Sequence, residues 1–194
     1  MSYFIGRLIC FLVLKTLFRI KVYGKENIPK RGAFILASNH ASFLDPPTLG
    51  VACPRKLNFM ARHDLFSNRL FSWLLTSWGV FPVKRNSADL SALKEAIQRL
   101  KDGEALLLFP EGSRGFEGAS FEPQPGIGFL AAKVNVPVIP AFVKGTEKAL
   151  PKEAKFFKPA RISVCFGKQI PIERGMPYQT IANLTMDNIR HLSC

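Results

Sequence analysis

The 194-residue sequence lacks the motifs that mark several large classes of enzyme. It contains no phosphate-binding Walker loop and no His-Glu-x-x-His zinc motif. Ser113 stands close to glycines, but residues 112–115 do not have the Gly-x-Ser-x-Gly spacing of a nucleophile elbow, which disfavours a serine hydrolase. Residues 126–131 superficially fit a dinucleotide fingerprint, yet they follow Pro-Gln-Pro rather than a strand, so we discount that interpretation.

Closely spaced cysteines are also missing. The four cysteines are scattered, and no pair has the spacing of metal ligands or of a redox dithiol: Cys10, Cys53, Cys165 and Cys194. This usage predicts free thiols in a reducing compartment.

Acidic side chains are scarce, with 14 Asp and Glu against 27 Lys and Arg and a formal net charge of +13. A field of that sign favours anionic partners, namely nucleic acid, acidic lipid surfaces or phosphorylated small molecules. The basic residues are dispersed without a recognisable reader motif, so we do not expect a nucleic-acid partner. Hydrophobic residues make up 47% of the chain, including 17 Phe, which indicates a folded domain with a sizeable core.

The N-terminal segment has no apolar run that could span a membrane. Its uninterrupted apolar part, residues 8–14, is far shorter than the roughly 20 residues that a spanning helix needs. On a helical wheel three cations (Arg7, Lys15, Arg19) share one third of the circumference, and the apolar residues available for insertion are Phe4, Ile5, Leu8, Phe11 and Leu12. This pattern predicts that residues 1–22 form an amphipathic helix in the membrane interface and that residues 23–194 form the main domain. The alternative is a helix packed on that domain.

Apolar segments alternate with helical patterns along the rest of the chain. We therefore predict an α/β fold, a single layered domain with a mixed, largely parallel central sheet flanked by helices. Residues 65–78 are predicted as a mostly buried helix, and residues 86–101 as an amphipathic helix capped by Asn86 or Ser87. Residues 136–143 carry two prolines, which indicates an irregular or edge strand.

Residues 39–45, Asn-His-Ala-Ser-Phe-Leu-Asp, directly follow a short apolar run that is typical of a buried strand. A tight turn over residues 41–44 would fold the carboxylate of Asp45 back onto the imidazole of His40. A carboxylate on one ring nitrogen fixes the tautomer and leaves the other nitrogen available as a base. The alternative is that Asp45 only caps a helix that begins with Pro46, while His40 is an ordinary loop residue.

A second polar cluster follows the apolar run of residues 105–109. If this strand and the one before His40 are parallel, their ends share the sheet edge at which α/β proteins bind ligands. Gly112 and Gly115 allow close backbone approach, and Arg114 suits phosphate oxygens. Lys84 and Arg85 end a third apolar segment and would add cations, although a single cation of this kind is usually solvated.

Four ordered blocks of the sequence resemble the 1-acylglycerol-3-phosphate acyltransferase family of glycerolipid acyltransferases. The first is the His-x-x-x-x-Asp block at residues 40–45 with its leading Asn39, and the second is the apolar run ending in Arg at residues 79–85. The third is Phe-Pro-Glu-Gly-Ser-Arg-Gly at residues 109–115, and the fourth is Val-Pro-Val-Ile-Pro at residues 136–140. The order and intervals agree over roughly residues 20–170. Gln124 and Gly115 depart from the family pattern, which leaves the acceptor preference open.

The resemblance implies acyl transfer from a thioester to the sn-2 hydroxyl of 1-acylglycerol 3-phosphate, giving phosphatidate. It implies His40 as the catalytic base and Asp45 as the residue that orients it. The substrate-binding residues that it implies are Arg62, Arg85, Glu111, Gly112, Ser113 and Arg114. No metal or redox cofactor is implied, and acyl-CoA or acyl-acyl carrier protein would be the co-substrate. Another lysophospholipid acceptor is the alternative. With the interfacial helix, these features predict a monotopic protein on the cytoplasmic face of an anionic membrane.

Overall fold

The computed structural model describes residues 2–84, 89–112, 122–151, 154 and 156–193. Within these residues seven strands form one sheet. The strands are β1 Lys21–Tyr23, β2 Phe34–Ser38, β3 Leu57–Arg62, β4 Val80–Val83, β5 Ala105–Leu108, β6 Val138–Lys144 and β7 Ser163–Phe166.

The sheet has the order β1-β7-β6-β2-β5-β3-β4 and is mostly parallel. Strands β6, β2, β5, β3 and β4 pair in parallel, β7 is antiparallel to β6, and β1 is parallel to β7. The predicted mixed, largely parallel sheet is thus confirmed. Strand β2 lies at its centre, between β5 and β6.

Helices cover both faces of the sheet. They are α1 Ser2–Phe18, α2 Asp45–Ala52, α3 Arg69–Ser77, α4 Leu90–Lys101, α5 Gly126–Val134, α6 Thr146–Ala149 and α7 Tyr178–His191. Along β2, Phe34 and Leu36 pack in one apolar cluster with α1, α2 and α6, whereas Ile35 and Ala37 pack in a second cluster with α4, α5 and α7. This alternation explains why β2 is an unbroken apolar run, since both of its faces are buried.

Helix α1 is both attached to the core and apolar on its outer side. Leu14 and Phe18 belong to the first apolar cluster, while Phe4, Ile5, Leu8, Phe11 and Leu12 are exposed. The helix ends at Phe18, and residues 21–23 already form β1, so the end of the predicted 1–22 segment belongs to the sheet. None of the described helices is both long and apolar enough to cross a membrane.

The cation Arg7 does not lie on a solvated polar face of α1, as the wheel had suggested. Its guanidinium donates to the backbone carbonyls of Val51, at 3.3 Å, and Cys53, at 2.7 Å. These carbonyls are at the C-terminal end of α2, where backbone oxygens lack partners within the helix. Arg7 therefore ties α1 to α2.

Two helix predictions need correction. The segment predicted as a buried helix over residues 65–78 forms a 3₁₀ turn, His63–Phe66, followed by α3, and none of the residues of α3 is buried. Leu70 is 76% exposed and Trp73 is 62% exposed. Helix α4 begins at Leu90 and is capped by Asp89, which accepts from the backbone N–H groups of Ser91 and Ala92. The predicted caps, Asn86 and Ser87, lie outside the described residues.

Of the two alternatives for residues 136–143, the edge strand was wrong, because β6 is paired on both sides. The irregular strand is confirmed, because the ladder between β6 and β7 is interrupted at Pro140. Pro140 is tolerated because it lies between the last β6–β7 pair, Ala141 with Phe166, and the isolated bridge from Val138 to Ile170. Its carbonyl accepts from Gly167 N–H, while the ladder there does not require a donor from the proline.

The prediction of free thiols was wrong in part: Cys10 and Cys53 are free, but Cys165 is in a disulfide.

Candidate active site

The C-terminal ends of β2 and β5 bring the two predicted polar clusters together. These strands are parallel neighbours, with Ala37 in register with Leu108. The chain beyond β2 therefore meets the chain beyond β5 at one sheet edge, as the sequence predicted. The rings of His40 and Phe109 stack there, with centroids 4.0 Å apart and planes 20° from parallel.

His40 and Asp45 form a hydrogen-bonded pair. The distance from His40 Nδ1 to Asp45 Oδ2 is 2.9 Å, and the side chains are 14% and 0% exposed, respectively. The same carboxylate oxygen accepts from the backbone N–H groups of Ala41 and Ser42, each at 2.7 Å. Asp45 N–H in turn donates to Ser42 C=O, which closes the tight turn. With Nδ1 facing Asp45, Nε2 is the ring nitrogen left for a substrate.

The capping interpretation of Asp45 was wrong. Leu44 is the residue before α2, and Asp45 is its first residue, followed by Pro46 and Pro47. A cap accepts from N–H groups further along its own helix, whereas Asp45 accepts from the preceding Ala41 and Ser42. The side chain therefore holds the turn that carries His40.

Asn39 fixes the end of β2 to β6. Its side-chain N–H donates to Val143 C=O at 2.9 Å, and its side-chain oxygen accepts from Val143 N–H at 2.8 Å. The backbone next to His40 is thereby held by two bonds to a residue more than a hundred positions away. Reasoning from the residues alone missed this role and that of Phe109; only the family pattern pointed to Asn39.

The other predicted site residues are only partly described. Glu111 Oε1 accepts from His40 N–H at 3.4 Å, so Glu111 lies beside the pair. Gly112 has a φ of +67°, which favours glycine, and an added Cβ would lie 3.1 Å from Gln124 Cγ. Arg85, Ser113 and Arg114 lie outside the described residues.

Arg62 ends β3 at the same sheet edge, but its guanidinium is paired. It donates from Nε to Asp64 Oδ1 at 2.9 Å and from a terminal nitrogen to Asp64 Oδ2. Hydrogen bonding from Arg62 lowers the pKa of Asp64 below its usual value. Both side chains are about half exposed, so a phosphate at Arg62 would compete with this carboxylate in water.

A cavity of about 310 Å³ lies between α1, α2 and α3. Its lining includes Phe43 and Pro46, which flank Asp45 in sequence, and Gly50 on the next turn of α2. Burial raises the pKa of the Tyr3 phenol and of the Cys10 thiol, both in the lining, so these groups stay neutral near neutral pH. Arg7 also lines the cavity, but its guanidinium donates to the carbonyls of Val51 and Cys53, and most of the other lining side chains are apolar. The cavity thus suits an apolar group. A second cavity, of about 220 Å³, is lined by Phe109, Gly126 and neighbours on the opposite side of the sheet.

In the described part of the chain, no group of three or more His, Cys, Asp or Glu side chains is placed to hold a metal ion. A hydrogen-bonded imidazole and carboxylate, next to a glutamate and an apolar cavity, can remove a proton from a hydroxyl beside an apolar substrate.

Comparison with known proteins agrees with this chemistry. A sequence model of a family described as Acyltransferase matches residues 19–144. The chain belongs to this acyltransferase family.

The names of individual relatives are more specific than the description of the family. The chain is 32% identical over 152 residues to a 1-acyl-sn-glycerol-3-phosphate acyltransferase of Bacillus subtilis, covering 78% of this chain and 73% of the relative. It is 31% identical over 152 residues to a chloroplastic enzyme of the same name from Arabidopsis thaliana, covering 77% of this chain and 42% of that relative. The crystal structure of the 1-acyl-sn-glycerophosphate acyltransferase PlsC from Thermotoga maritima superposes with a TM-score of 0.80 at 25% identity, covering 95% of this chain and 76% of that one.

Proposed function

We propose that this protein transfers a fatty acyl chain from a thioester to the sn-2 hydroxyl of 1-acylglycerol 3-phosphate, giving phosphatidate. The observation that carries the proposal is the His40–Asp45 pair at the edge of the sheet, with Nδ1 on the carboxylate. The names of the Bacillus and Arabidopsis relatives support the acceptor.

His40 is the general base. Its Nε2 takes the proton of the acceptor hydroxyl as that oxygen attacks the thioester carbonyl. Asp45 keeps the ring oriented and offsets the charge of the imidazolium that forms. When the tetrahedral intermediate collapses, the carbon–sulfur bond breaks and the imidazolium returns the proton to the departing thiolate. The acceptor supplies the nucleophile, so this route forms no covalent bond to the enzyme.

The phosphate of the acceptor is proposed to be held by cations and backbone N–H groups. Arg114 and Arg85 are proposed from the sequence, together with Gly112 and Ser113. Arg62 would contribute after leaving Asp64. Glu111, whose Oε1 accepts from the His40 backbone N–H, is proposed to accept from a hydroxyl of the glycerol as well.

The cavity beneath α1 is the proposed site for an acyl chain. Its lining includes Phe43 and Pro46, on either side of Asp45 in sequence, and is mostly apolar. Of its ionisable groups, Tyr3 and Cys10 stay neutral, and the Arg7 guanidinium is bound to the backbone carbonyls of Val51 and Cys53. Acyl-CoA or acyl-acyl carrier protein is the proposed donor, since either presents the chain as a thioester.

The exposed apolar side of α1 supports a monotopic association with the cytoplasmic face of an anionic membrane. Phe4, Ile5, Leu8 and Leu12 are exposed on a helix whose other side is fixed to the core. Apolar side chains arranged in this way enter the interface between lipid head groups and acyl chains, and the net charge of +13 favours anionic lipid.

An acceptor panel tests the proposed reaction. The purified protein is incubated with acyl-CoA and, separately, with lysophosphatidate, lysophosphatidylglycerol and lysophosphatidylcholine, and the products are identified by mass spectrometry. We expect phosphatidate as the main product. Selective acylation of another lysophospholipid would support acyl transfer but refute lysophosphatidate as the acceptor. Absence of acylated lipid in every tube would refute both the reaction and the acceptor.

A further inference from the structure

An exposed aromatic pair, Phe156 and Phe157, follows α6. These side chains are 82% and 55% exposed. In sequence, the stretch from 151 to 158 also contains three lysines, at positions 152, 155 and 158. We propose that the Phe156–Phe157 loop is a second membrane-contacting site, separate from α1, which inserts Phe156 into the interface of an anionic bilayer.

The base of the loop is fixed to the fold. Lys158 N–H donates to Ala149 C=O, the last residue of α6, at 2.8 Å. The ring of Phe157 packs edge-to-face on Phe18, with centroids 5.9 Å apart, and Phe18 is in the core. Phe156 is therefore presented to solvent on an anchored backbone, which lowers the conformational entropy that insertion must overcome.

The loop lies close to both α1 and the active site. Phe18 is preceded by the exposed Leu17, the end of the apolar side of α1. Leu150, just before the loop, accepts from the hydroxyl of Ser42, and Ser42 N–H donates to Asp45. A bilayer that contacts both α1 and Phe156 would lie next to the turn that holds the His40–Asp45 pair.

The composition of the loop favours lipid as the partner. Aromatic rings beside lysines are typical of segments that sit at the level of anionic head groups, where the ring is buried and the ammonium groups remain wet. The loop also borders the apolar end of α1, so one lipid surface could cover both. This inference extends the membrane association proposed above but does not depend on acyl transfer.

The test is binding of full-length protein to mixed phosphatidylcholine and phosphatidylglycerol vesicles without substrate, measured by sedimentation. Phe156→Ala should lower the partition coefficient about 5- to 10-fold, because a large apolar ring no longer leaves water. Phe156→Trp should bind at least as well as the parent, since Trp prefers the interface. Leu90→Ala is the matched control, because Leu90 is also exposed but lies on α4, on the other side of the sheet. It should bind as the parent does.

Turnover distinguishes membrane contact from other roles. With a dispersed short-chain lysophosphatidate and acyl-CoA, Phe156→Ala should match the parent. Equal vesicle binding by Phe156→Ala and the parent would overturn the proposal. If Phe156→Ala then had a higher KM for acyl-acyl carrier protein than the parent, the loop would be a donor-docking surface instead. A protein that acylated no lipid, yet lost vesicle binding on Phe156→Ala, would support this inference while refuting the proposed reaction.

Discussion

The single oxygen Oδ2 of Asp45 accepts three hydrogen bonds, from His40 and from two backbone N–H groups. In Asp45→Asn an amide oxygen can occupy this position and keep all three, so the turn and the tautomer of His40 should persist. What is lost is the negative charge that offsets the imidazolium. We expect kcat to fall about 10²- to 10³-fold while the protein still folds.

The measurement is kcat together with the melting temperature, which should fall modestly because the new amide N–H groups are buried without partners. Asp187→Asn serves as the control, since it removes an exposed carboxylate on α7. An Asp45→Asn enzyme with parental kcat would show that Asp45 only shapes the turn.

Arg62 provides a second prediction at the scale of single residues. If its guanidinium binds the acceptor phosphate, Asp64→Asn should free it and lower the apparent KM for lysophosphatidate about 2- to 5-fold, a change in keeping with an exposed ion pair. Arg62→Ala should raise the same KM. Initial rates at varied lysophosphatidate decide the question, and a KM that neither substitution changes would exclude Arg62 from the phosphate site.

At this scale the sequence predicted the His40–Asp45 pair but not the contacts that hold it in place. The spacing of His40 and Asp45 left two interpretations open, and only folding of the turn decided between them. The stacking of Phe109 on His40 depends on β2 and β5 being neighbours. The two hydrogen bonds between Asn39 and Val143, one in each direction, depend on β6 lying on the other side of β2. Such contacts join residues distant in the chain, and no local pattern reveals them.

At the scale of elements, the cavity between α1, α2 and α3 leads to a prediction on chain length. A Cβ added at Gly50 would meet no atom within 4 Å, so the position tolerates a side chain, and in Gly50→Leu that side chain would occupy part of the cavity. If this cavity holds the donor's acyl chain, Gly50→Leu should shift preference towards shorter thioesters in a competition between chain lengths, read by mass spectrometry.

The second cavity supplies the matched control. Gly126 lines it and also has open space around its Cα. Gly126→Leu should leave the preference unchanged. A shift with Gly126→Leu but not with Gly50→Leu would place the chain in the second cavity.

We expect the exposed apolar side of α1 to bind lipid vesicles, and point substitutions test this better than deletion of the helix. Removing the helix would also remove Leu14 and Phe18 from the core. Leu8→Ser and Leu12→Ser change exposed positions, so the melting temperature should hold while sedimentation with phosphatidylglycerol vesicles falls several-fold. Leu90→Ser on α4 should have no effect. Unaltered sedimentation of both α1 variants would leave the helix as a packing element.

The order of strands and helices was largely predictable, because apolar periodicity marks each element. The burial of α3 was not, since an apolar segment has the same composition whether it faces a core or a lipid surface. On α3 the apolar side chains are not in the core, as the exposure of Leu70 and Trp73 shows. The two prolines of residues 136–143 did not reveal whether the strand is irregular or lies at an edge. The structure excludes an edge strand, and a gap in the ladder between β6 and β7 accommodates Pro140.

At the scale of the whole molecule, the position of the His40–Asp45 pair relates the proposed chemistry to the proposed membrane association. The His40–Asp45 turn lies at the start of α2, α1 is fixed to the end of α2 through Arg7, and the outer side of α1 is apolar. An acceptor within a bilayer could thus reach the base without leaving the lipid surface. The excess of positive charge favours the anionic acceptor as well as anionic lipid.

His40 is proposed to remove the proton from the acceptor hydroxyl. The most direct measurement is the initial rate of phosphatidate formation from lysophosphatidate and acyl-CoA by the parent and by His40→Ala, at equal protein and with folding checked by circular dichroism. We predict that the parent forms phosphatidate and that folded His40→Ala loses about 10²- to 10⁴-fold in kcat. A folded His40→Ala that forms phosphatidate at the parental rate would contradict the claim.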